Sequence, residues 1–165
     1  MLRQSLARHG ASGWRYIVGE LHLKALAGLL LLSAILGTGC GPVWYADPGF
    51  AERLAKQENK PLLLYFKAWD SSQHRNMMLN VLSDASVKSE LKTTVNAQLE
   101  FAFFPEFARR YGVQKPQVCV VCKPDGVKVS SPMVCNPVPT AAQFLDWLKN
   151  AKAQAQPPAE GATPK

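Results

Sequence analysis

The sequence lacks the features that mark nucleic-acid-binding or repetitive proteins. It contains no internal repeat and no lysine or arginine cluster long enough to form a phosphate-binding stripe. The net charge is +7; residues 1–39 contribute +3, and residues 40–165 carry 15 basic against 11 acidic side chains. We therefore expect no nucleic-acid partner. The length of 165 residues is enough for one domain of ordinary size.

Cysteine is also scarce, with four residues in the chain, at Cys40, Cys119, Cys122 and Cys135. If Cys40 is modified, an odd number remains, so at least one thiol is unpaired in a monomer. Cys119 and Cys122 have the spacing of a redox motif but lie in a predicted strand. There, residues three apart point to opposite faces with Cα atoms about 10 Å apart, which is beyond the reach of a disulfide.

Three states remain open for Cys119, Cys122 and Cys135. Cys135 can pair with Cys119 or Cys122, or all three can be buried free thiols. A metal site made of the three cysteines would lack a fourth ligand. We therefore expect no metal site and no cofactor.

One hydrophobic run stands near the N-terminus. Residues 25–36 are uncharged and have the length of the apolar region of an export signal, and small residues at 37–39 precede Cys40. The segment resembles a bacterial lipoprotein signal, which implies cleavage after Gly39 and lipidation of Cys40. An uncleaved anchor over residues 25–45 and ordinary cleaved secretion are the alternatives. Each alternative predicts a cell-envelope domain facing the periplasm or the exterior, and the first two attach it to the membrane.

Several helix signals follow. Asp47 and Pro48 form a good helix start, because aspartate caps the first turn and proline suits the first helical position. Ser83 and Asp84 mark a break after a helical face at residues 77–82, and the helical spacing continues at Val87 and Leu91. Residues 105–111 form a short helix before a glycine, and Thr140 caps the last helix.

Strands alternate with these helices. Continuous apolar runs at 62–66 and 118–121 predict buried strands, and residues 93–103 favour β structure. Residues 123–126 have the composition of a tight turn, so residues 127–131 are predicted to return as the second strand of a hairpin. Alternating strands and helices predict an α/β domain with an antiparallel edge.

Two stretches carry a resemblance to a known family. Residues 60–87 read KPLLLYFKAWDSSQHRNM followed by VLSDASV, and residues 110–116 read RYGVQKP before an apolar strand and Pro-Asp-Gly. Together they are similar to thioredoxin-like proteins of the periplasmic, single-domain kind. The resemblance implies a three-layer α/β/α domain whose mixed sheet ends in an antiparallel hairpin, and a cis peptide bond at Pro116.

The expected organisation has four segments. Residues 1–39 form the export segment, residues 40–46 a short linker, and residues 47–153 the thioredoxin-like domain. Residues 154–165 are rich in Ala, Pro, Gly and Thr and are predicted to be a disordered tail.

The chain departs from the family at the dithiol. Alignment on Trp69 places the two family cysteines at Asp70 and Gln73, whereas alignment on the later methionine and aspartate places them at Ser71 and His74. We prefer the second alignment because it needs no gap across a helix. In both, the thiols are missing, so this position cannot carry out thiol–disulfide exchange, which needs a thiolate.

Other roles for these positions follow from their residue types. We expect Ser71 or Ser72 to cap the following helix and His74 to be a solvated helix residue. Trp69 is expected to cover the core, with a peptide-binding surface beside Pro116 as the alternative.

The leading hypothesis is a membrane-tethered, non-catalytic domain that binds an unidentified envelope protein or peptide. The alternative is a thiol–disulfide redox protein that uses the relocated Cys119, Cys122 and Cys135. A purely structural envelope protein is a third interpretation.

Overall fold

A computed structural model of the chain describes residues 41–155. The predicted export segment, its Cys40 lipidation site and residues 156–165 of the predicted tail lie outside the described residues. Among residues 41–155, no helix is long and apolar enough to cross a membrane.

Residues 41–155 form five α-helices, and capping residues mark several of their ends. Asp47 Oδ1 accepts hydrogen bonds from the first turn of α1, Asp84 Oδ1 does the same for α3, and Gly112 follows α4 with φ +71°. α2 continues directly into a π-helical turn at Met77–Val81. The helices are α1 Pro48–Glu58, α2 Ser72–Asn76, α3 Ala85–Leu91, α4 Pro105–Arg110 and α5 Ala141–Ala155.

The helices surround one five-stranded sheet with the order β1-β3-β2-β4-β5. β1, β3 and β2 are parallel, while β4 runs antiparallel to β2 and pairs antiparallel with β5. The strands are β1 Trp44–Tyr45, β2 Leu62–Lys67, β3 Val95–Glu100, β4 Val118–Cys122 and β5 Met133–Val134. The mixed sheet confirms the predicted α/β architecture with an antiparallel end.

The sheet separates two apolar clusters. Alternate residues of the central strands point to opposite faces, so Leu64 and Phe66 pack on the α1 side while Leu63 and Tyr65 pack on the α5 side. The completely apolar run of β2 is therefore explained by its burial on both faces.

The structure corrects two strand predictions. Trp44 and Tyr45, expected in a linker, form an edge strand because Asn96 and Ala97 of β3 pair with them and Asn96 Nδ2 donates to the Val43 carbonyl. The last strand is Met133–Val134, beyond the predicted 127–131.

The reason for the second correction is a break in the ladder. Val129 N still donates to Val121 O, and Lys128 forms an isolated bridge with Cys122. Pro132, which has no N–H to donate, precedes the strand that completes the edge.

The remaining differences are smaller. The region predicted as β-favouring at 93–103 is a strand followed by a 3₁₀ turn at Phe101–Phe103. α5 extends through Ala155, two residues into the predicted tail.

Candidate functional site

The residues aligned with the family's dithiol lie in the turn between β2 and α2. Asp70 is exposed and has φ 57°, a left-handed conformation that aspartate tolerates better than most residues. Ser71 caps α2, and its Oγ accepts a hydrogen bond of 2.9 Å from His74 N. Ser72 Oγ lies 3.2 Å from Gln73 Oε1 at the surface. The cap at Ser71 fixes where the helix begins.

A chain of hydrogen bonds runs from this cap into the core. Gln117 Nε2 donates to Ser71 Oγ over 2.7 Å, and Tyr65 Oη donates to Gln117 Oε1 over 2.7 Å. Tyr65 and Gln117 are 0% and 4% exposed. Each buried polar group therefore has a partner, as buried polar groups require.

Gln117 itself is held firmly by its backbone. Its N–H donates to Phe66 O over 2.7 Å, and its carbonyl accepts from Cys135 N over 2.6 Å. Its φ of 64° turns the chain into β4. The glutamine side chain consequently faces the helix start at the point where β4 begins.

The imidazole of His74 packs against Tyr65 of this network, and only the backbone N–H of His74 contacts Ser71. Its Nδ1 lies 3.4 Å from Tyr65 Oη, and the two ring centroids are 5.8 Å apart. Burial lowers the pKa of His74, the Lys67 ammonium lowers it further, and Glu100 partly opposes both effects. The imidazole is therefore neutral near pH 7.

The arrangement is that of a helix cap and not of a nucleophile with its base. Ser71 Oγ receives two N–H donors, while the imidazole of His74 faces Tyr65. Burial also raises the pKa of Tyr65 well above its ordinary value, so the phenol stays protonated. Proton abstraction from Ser71 has no positioned base in the described network.

The three remaining cysteines are buried thiols. Cys119 and Cys135 share the α5 side of the sheet and their sulfur atoms are 3.7 Å apart, whereas Cys122 lies on the α1 side. Burial raises the pKa of Cys119 well above its ordinary value and that of Cys122 to about 12, with Glu52 adding to the latter. An attacking thiol needs exposure, which none of the three has, and a lowered pKa, which Cys119 and Cys122 do not have.

Next to the Ser71 turn is an open cleft with a volume of about 360 Å³. It lies where the three parallel strands end, and five aromatic side chains line it together with polar side chains from β2 and β3. We call it the aromatic cleft; its residues are Trp44, Tyr45, Ala46, Lys67, Trp69, Gln98, Glu100, Phe103 and Phe104. Ligands of open α/β sheets commonly bind beyond the carboxyl ends of the parallel strands.

Two of these aromatics are strongly exposed. Trp69 is 71% and Phe103 77% exposed, while Phe104 packs partly into the core. Lys67 Nζ lies 4.6 Å from the centre of the Trp69 ring, a cation–π contact that fixes one face of the indole. The rest of the Trp69 ring and the Phe103 side chain are largely open to solvent.

The floor of the cleft carries two opposite charges at the ends of neighbouring strands. Lys67 of β2 is in register with Glu100 of β3, and no ion pair within 4.0 Å joins either of them to another described residue. Glu100 Oε2 is buried without a hydrogen-bond partner among the described residues. The cleft is therefore lined by an ammonium and a carboxylate that form no ion pair among the described residues.

Three site predictions require correction. Trp69 does not cover the core, because the chain has left the end of β2 before it and the indole extends over Lys67. His74 is half-buried against Tyr65 and not solvated. The peptide bond before Pro116 is trans; the cis bond of the described chain is at Asn136–Pro137. The residue that faces the helix start is the next one, Gln117, because its positive φ directs it there.

Sequence reasoning missed Gln117 and the aromatic cleft. Gln117 is 46 residues from Ser71 and 52 from Tyr65 along the chain, so no local pattern indicates their contact. The cleft joins β1, which was expected to be linker, to aromatic residues that follow β3. The one sequence signal for Gln117 was its place as a polar residue directly before the apolar run of β4.

Within residues 41–155, no three His, Cys, Asp or Glu side chains converge in a way that could hold a metal ion. The residues of the cleft provide hydrogen-bonding groups, charge and aromatic surface.

Comparison with solved structures identifies the architecture. A thioredoxin from Thermus thermophilus superposes with a TM-score of 0.60 at 24% identity, covering 70% of this chain and 91% of the other. The oxidised C-terminal domain of Neisseria meningitidis DsbD gives 0.55 at 21%, covering 66% and 99%. A DsbH oxidoreductase gives 0.58 at 18%, covering 69% and 86%.

No protein-family model matches the sequence, and no curated protein matches it significantly. At these identities the structural matches establish the fold, which is thioredoxin-like.

Proposed function

We propose that this thioredoxin-like domain is a non-catalytic binding module that holds an extended peptide segment in the aromatic cleft. The observation that carries the proposal is the exposure of Trp69 and Phe103 at the rim of one cleft. Single exposed apolar side chains are ordinary, but several aromatics around one concave surface are typical of interaction sites.

The chemistry of the cleft favours a peptide. Its volume of about 360 Å³ accommodates one or two side chains, and its rim is aromatic. Glu100 and Lys67 can accept from a peptide N–H and donate to a peptide carbonyl, respectively. An extended segment with one large apolar side chain satisfies all three features.

The neighbouring Ser71 network supports binding without catalysis. The turn that would hold a dithiol is closed by hydrogen bonds from Gln117 and His74 N to Ser71 Oγ. Such a cap holds Trp69, two residues away, in a defined position. A preorganised aromatic side chain binds with a smaller loss of conformational entropy than a mobile one.

The redox alternative rests on the closeness of Cys119 to Cys135, whose sulfur atoms are 3.7 Å apart. Both residues are at most 1% exposed, so a substrate disulfide cannot reach them in the described conformation. We therefore favour peptide binding. An experiment separates the two functions, because only the redox function requires the thiols.

The binding test begins with the full chain in detergent and a random peptide library displayed on phage. The affinity of the selected peptides is then measured for the wild type and for Trp69→Ala and Phe103→Ala. Loss of an interface aromatic weakens binding by about 10-fold or more, whereas Leu79→Ala, at a 70% exposed position outside the cleft, leaves it unchanged. Equal binding by the wild type and both cleft variants would refute the proposal.

We further propose that a lipid on Cys40 tethers the module to a membrane. The support is the order of the hydrophobic run, the small residues and the cysteine in residues 25–40. The intact mass of the protein extracted from membranes tests it: a chain that begins at an acylated Cys40 is expected. A mass that includes residues 1–39 would show an uncleaved anchor instead.

A further inference from the structure

Two buried thiols lie side by side at the antiparallel end of the sheet. Cys119 is in β4, Cys135 follows β5 directly, and their sulfur atoms are 3.7 Å apart. That distance is a van der Waals contact, and a covalent S–S bond needs about 2.05 Å. The two sulfurs can therefore meet after a small side-chain rotation and a small movement at the sheet edge.

The strand register places both thiols on the same face. Cys119 is opposite Met133, and Cys135, two residues further on, points to the same side of the sheet as Met133. Cys135 N donates to Gln117 O over 2.6 Å, which keeps the chain beside β4 just past the last strand pair. Cys122 packs on the opposite side and has no access to either sulfur.

We propose that Cys119 and Cys135 are an oxidation site at which a disulfide forms across the β4–β5 edge, with a small-molecule or protein disulfide as the oxidant. The proposal stands on this geometry and does not depend on the peptide-binding function. The disulfide stabilises the sheet edge and is not passed on to a substrate, which distinguishes this role from catalysis.

The reaction balances as two successive exchanges. The Cys135 thiolate attacks one sulfur of the oxidant R–S–S–R, forming a mixed disulfide and releasing R–S⁻, which takes up the proton that Cys135 lost. The Cys119 thiolate then attacks Cys135 Sγ, releasing the second R–S⁻, which is protonated in the same way. Both protein thiols are oxidised, and the oxidant is reduced to two R–SH molecules.

The edge of the sheet provides the access that this reaction needs. β5 has two residues and pairs only with β4 within the described sheet, so it can detach locally at low cost. Detachment of β5 exposes Cys135 first, because Cys119 lies in β4, which stays paired with the central strand β2. Exchange therefore proceeds while the edge is open, either during folding or in brief openings of the folded chain.

The disulfide would fix the neighbourhood of the Ser71 network. It closes a loop from Cys119 to Cys135 and holds the backbone that donates to the Gln117 carbonyl. Closure of a loop of this length is expected to raise the melting temperature by about 10 °C.

The experiment equilibrates the full chain in mixtures of oxidised and reduced glutathione. After quenching with acid, free thiols are alkylated in denaturant and located by peptide mass mapping. The expected result is that Cys119 and Cys135 become protected together, with loss of two hydrogen masses, while Cys122 is alkylated. Cys135→Ser should leave Cys119 fully alkylated, and Cys122→Ala should leave the pair unchanged.

Full alkylation of all three thiols in the oxidising mixture would overturn the proposal. A disulfide that includes Cys122 or Cys40 would also overturn it. The melting temperature of oxidised wild type is compared with that of the reduced form. The difference in melting temperature between the oxidised and reduced forms should be the same in Cys122→Ala and absent in Cys119→Ser/Cys135→Ser. If it is absent in the wild type, the disulfide does not stabilise the sheet edge.

Discussion

Tyr65 Oη donates a 2.7 Å hydrogen bond to Gln117 Oε1 in the interior of the domain, and this bond connects the central strand to the start of β4. Gln117 Nε2 continues to Ser71 Oγ, so two buried groups fix the helix cap beside the aromatic cleft. The turn at Ser71 is therefore held by a polar network whose buried groups are all hydrogen-bonded.

The Tyr65–Gln117 bond should be measurable as a coupling energy. Tyr65→Phe leaves a buried amide oxygen without its donor and should lower the free energy of unfolding by about 1–2 kcal/mol. In a double-mutant cycle with Gln117→Met, urea denaturation should give a coupling of about 1 kcal/mol. Strictly additive effects would show that the bond does not contribute.

Ser71 should be more important for stability than its neighbour. Ser71→Ala removes the acceptor of both His74 N and the buried Gln117 Nε2, and we expect a loss of about 1–2 kcal/mol in urea denaturation. Ser72→Ala, at an exposed position, is the matched control and should change stability by less than about 0.5 kcal/mol. Equal losses in the two variants would contradict the assigned cap.

The burial of His74 predicts a pH dependence with a definite sign. Because the folded chain holds the His74 pKa below its ordinary value of 6.5, the unfolded chain binds a proton more readily. The stability associated with neutral His74 is fully present above pH 6.5 and is lost as the pH falls below that value.

Urea denaturation at about pH 7.5 and about pH 5.5 measures this loss. The wild type should lose more stability between the two pH values than His74→Gln, which has no group that titrates there. An identical loss in both proteins would place His74 in water in the folded state.

The three described thiols should react slowly in the folded, reduced chain. Burial keeps all three out of contact with reagents and raises the pKa of Cys119 and Cys122, so iodoacetamide should modify them about 100-fold more slowly than in the denatured chain. Alkylation is followed by mass, with a phosphine present to keep the chain reduced. Rapid modification of one thiol in the folded chain would identify a reactive cysteine and favour the redox alternative.

Local sequence signals predicted much of the fold. The cap at Asp47 and the glycine at 112 lie where helices begin and end, because capping depends on residues a few positions apart. The apolar runs of β2 and β4 reflect burial on both faces, which the sequence shows directly.

Contacts between distant residues were not predictable in this way. The strand at Trp44–Tyr45 exists because Asn96, about 50 residues later, pairs with it. The exposure of Trp69 depends on where β2 ends and on Lys67 taking one face of the ring. Gln117, and not the predicted Pro116, faces the start of α2. This depends on the positive φ of Gln117, which no residue pattern predicts.

The most direct test of the central claim compares one selected peptide against two variants of the full chain. Because binding is proposed to use aromatic surface and no thiol, Cys119→Ala/Cys122→Ala/Cys135→Ala should keep the wild-type dissociation constant within about twofold, whereas Trp69→Ala should weaken binding by about 10-fold or more. Circular dichroism confirms that both variants are folded. Binding that is lost in the cysteine variant and kept in Trp69→Ala would contradict the account.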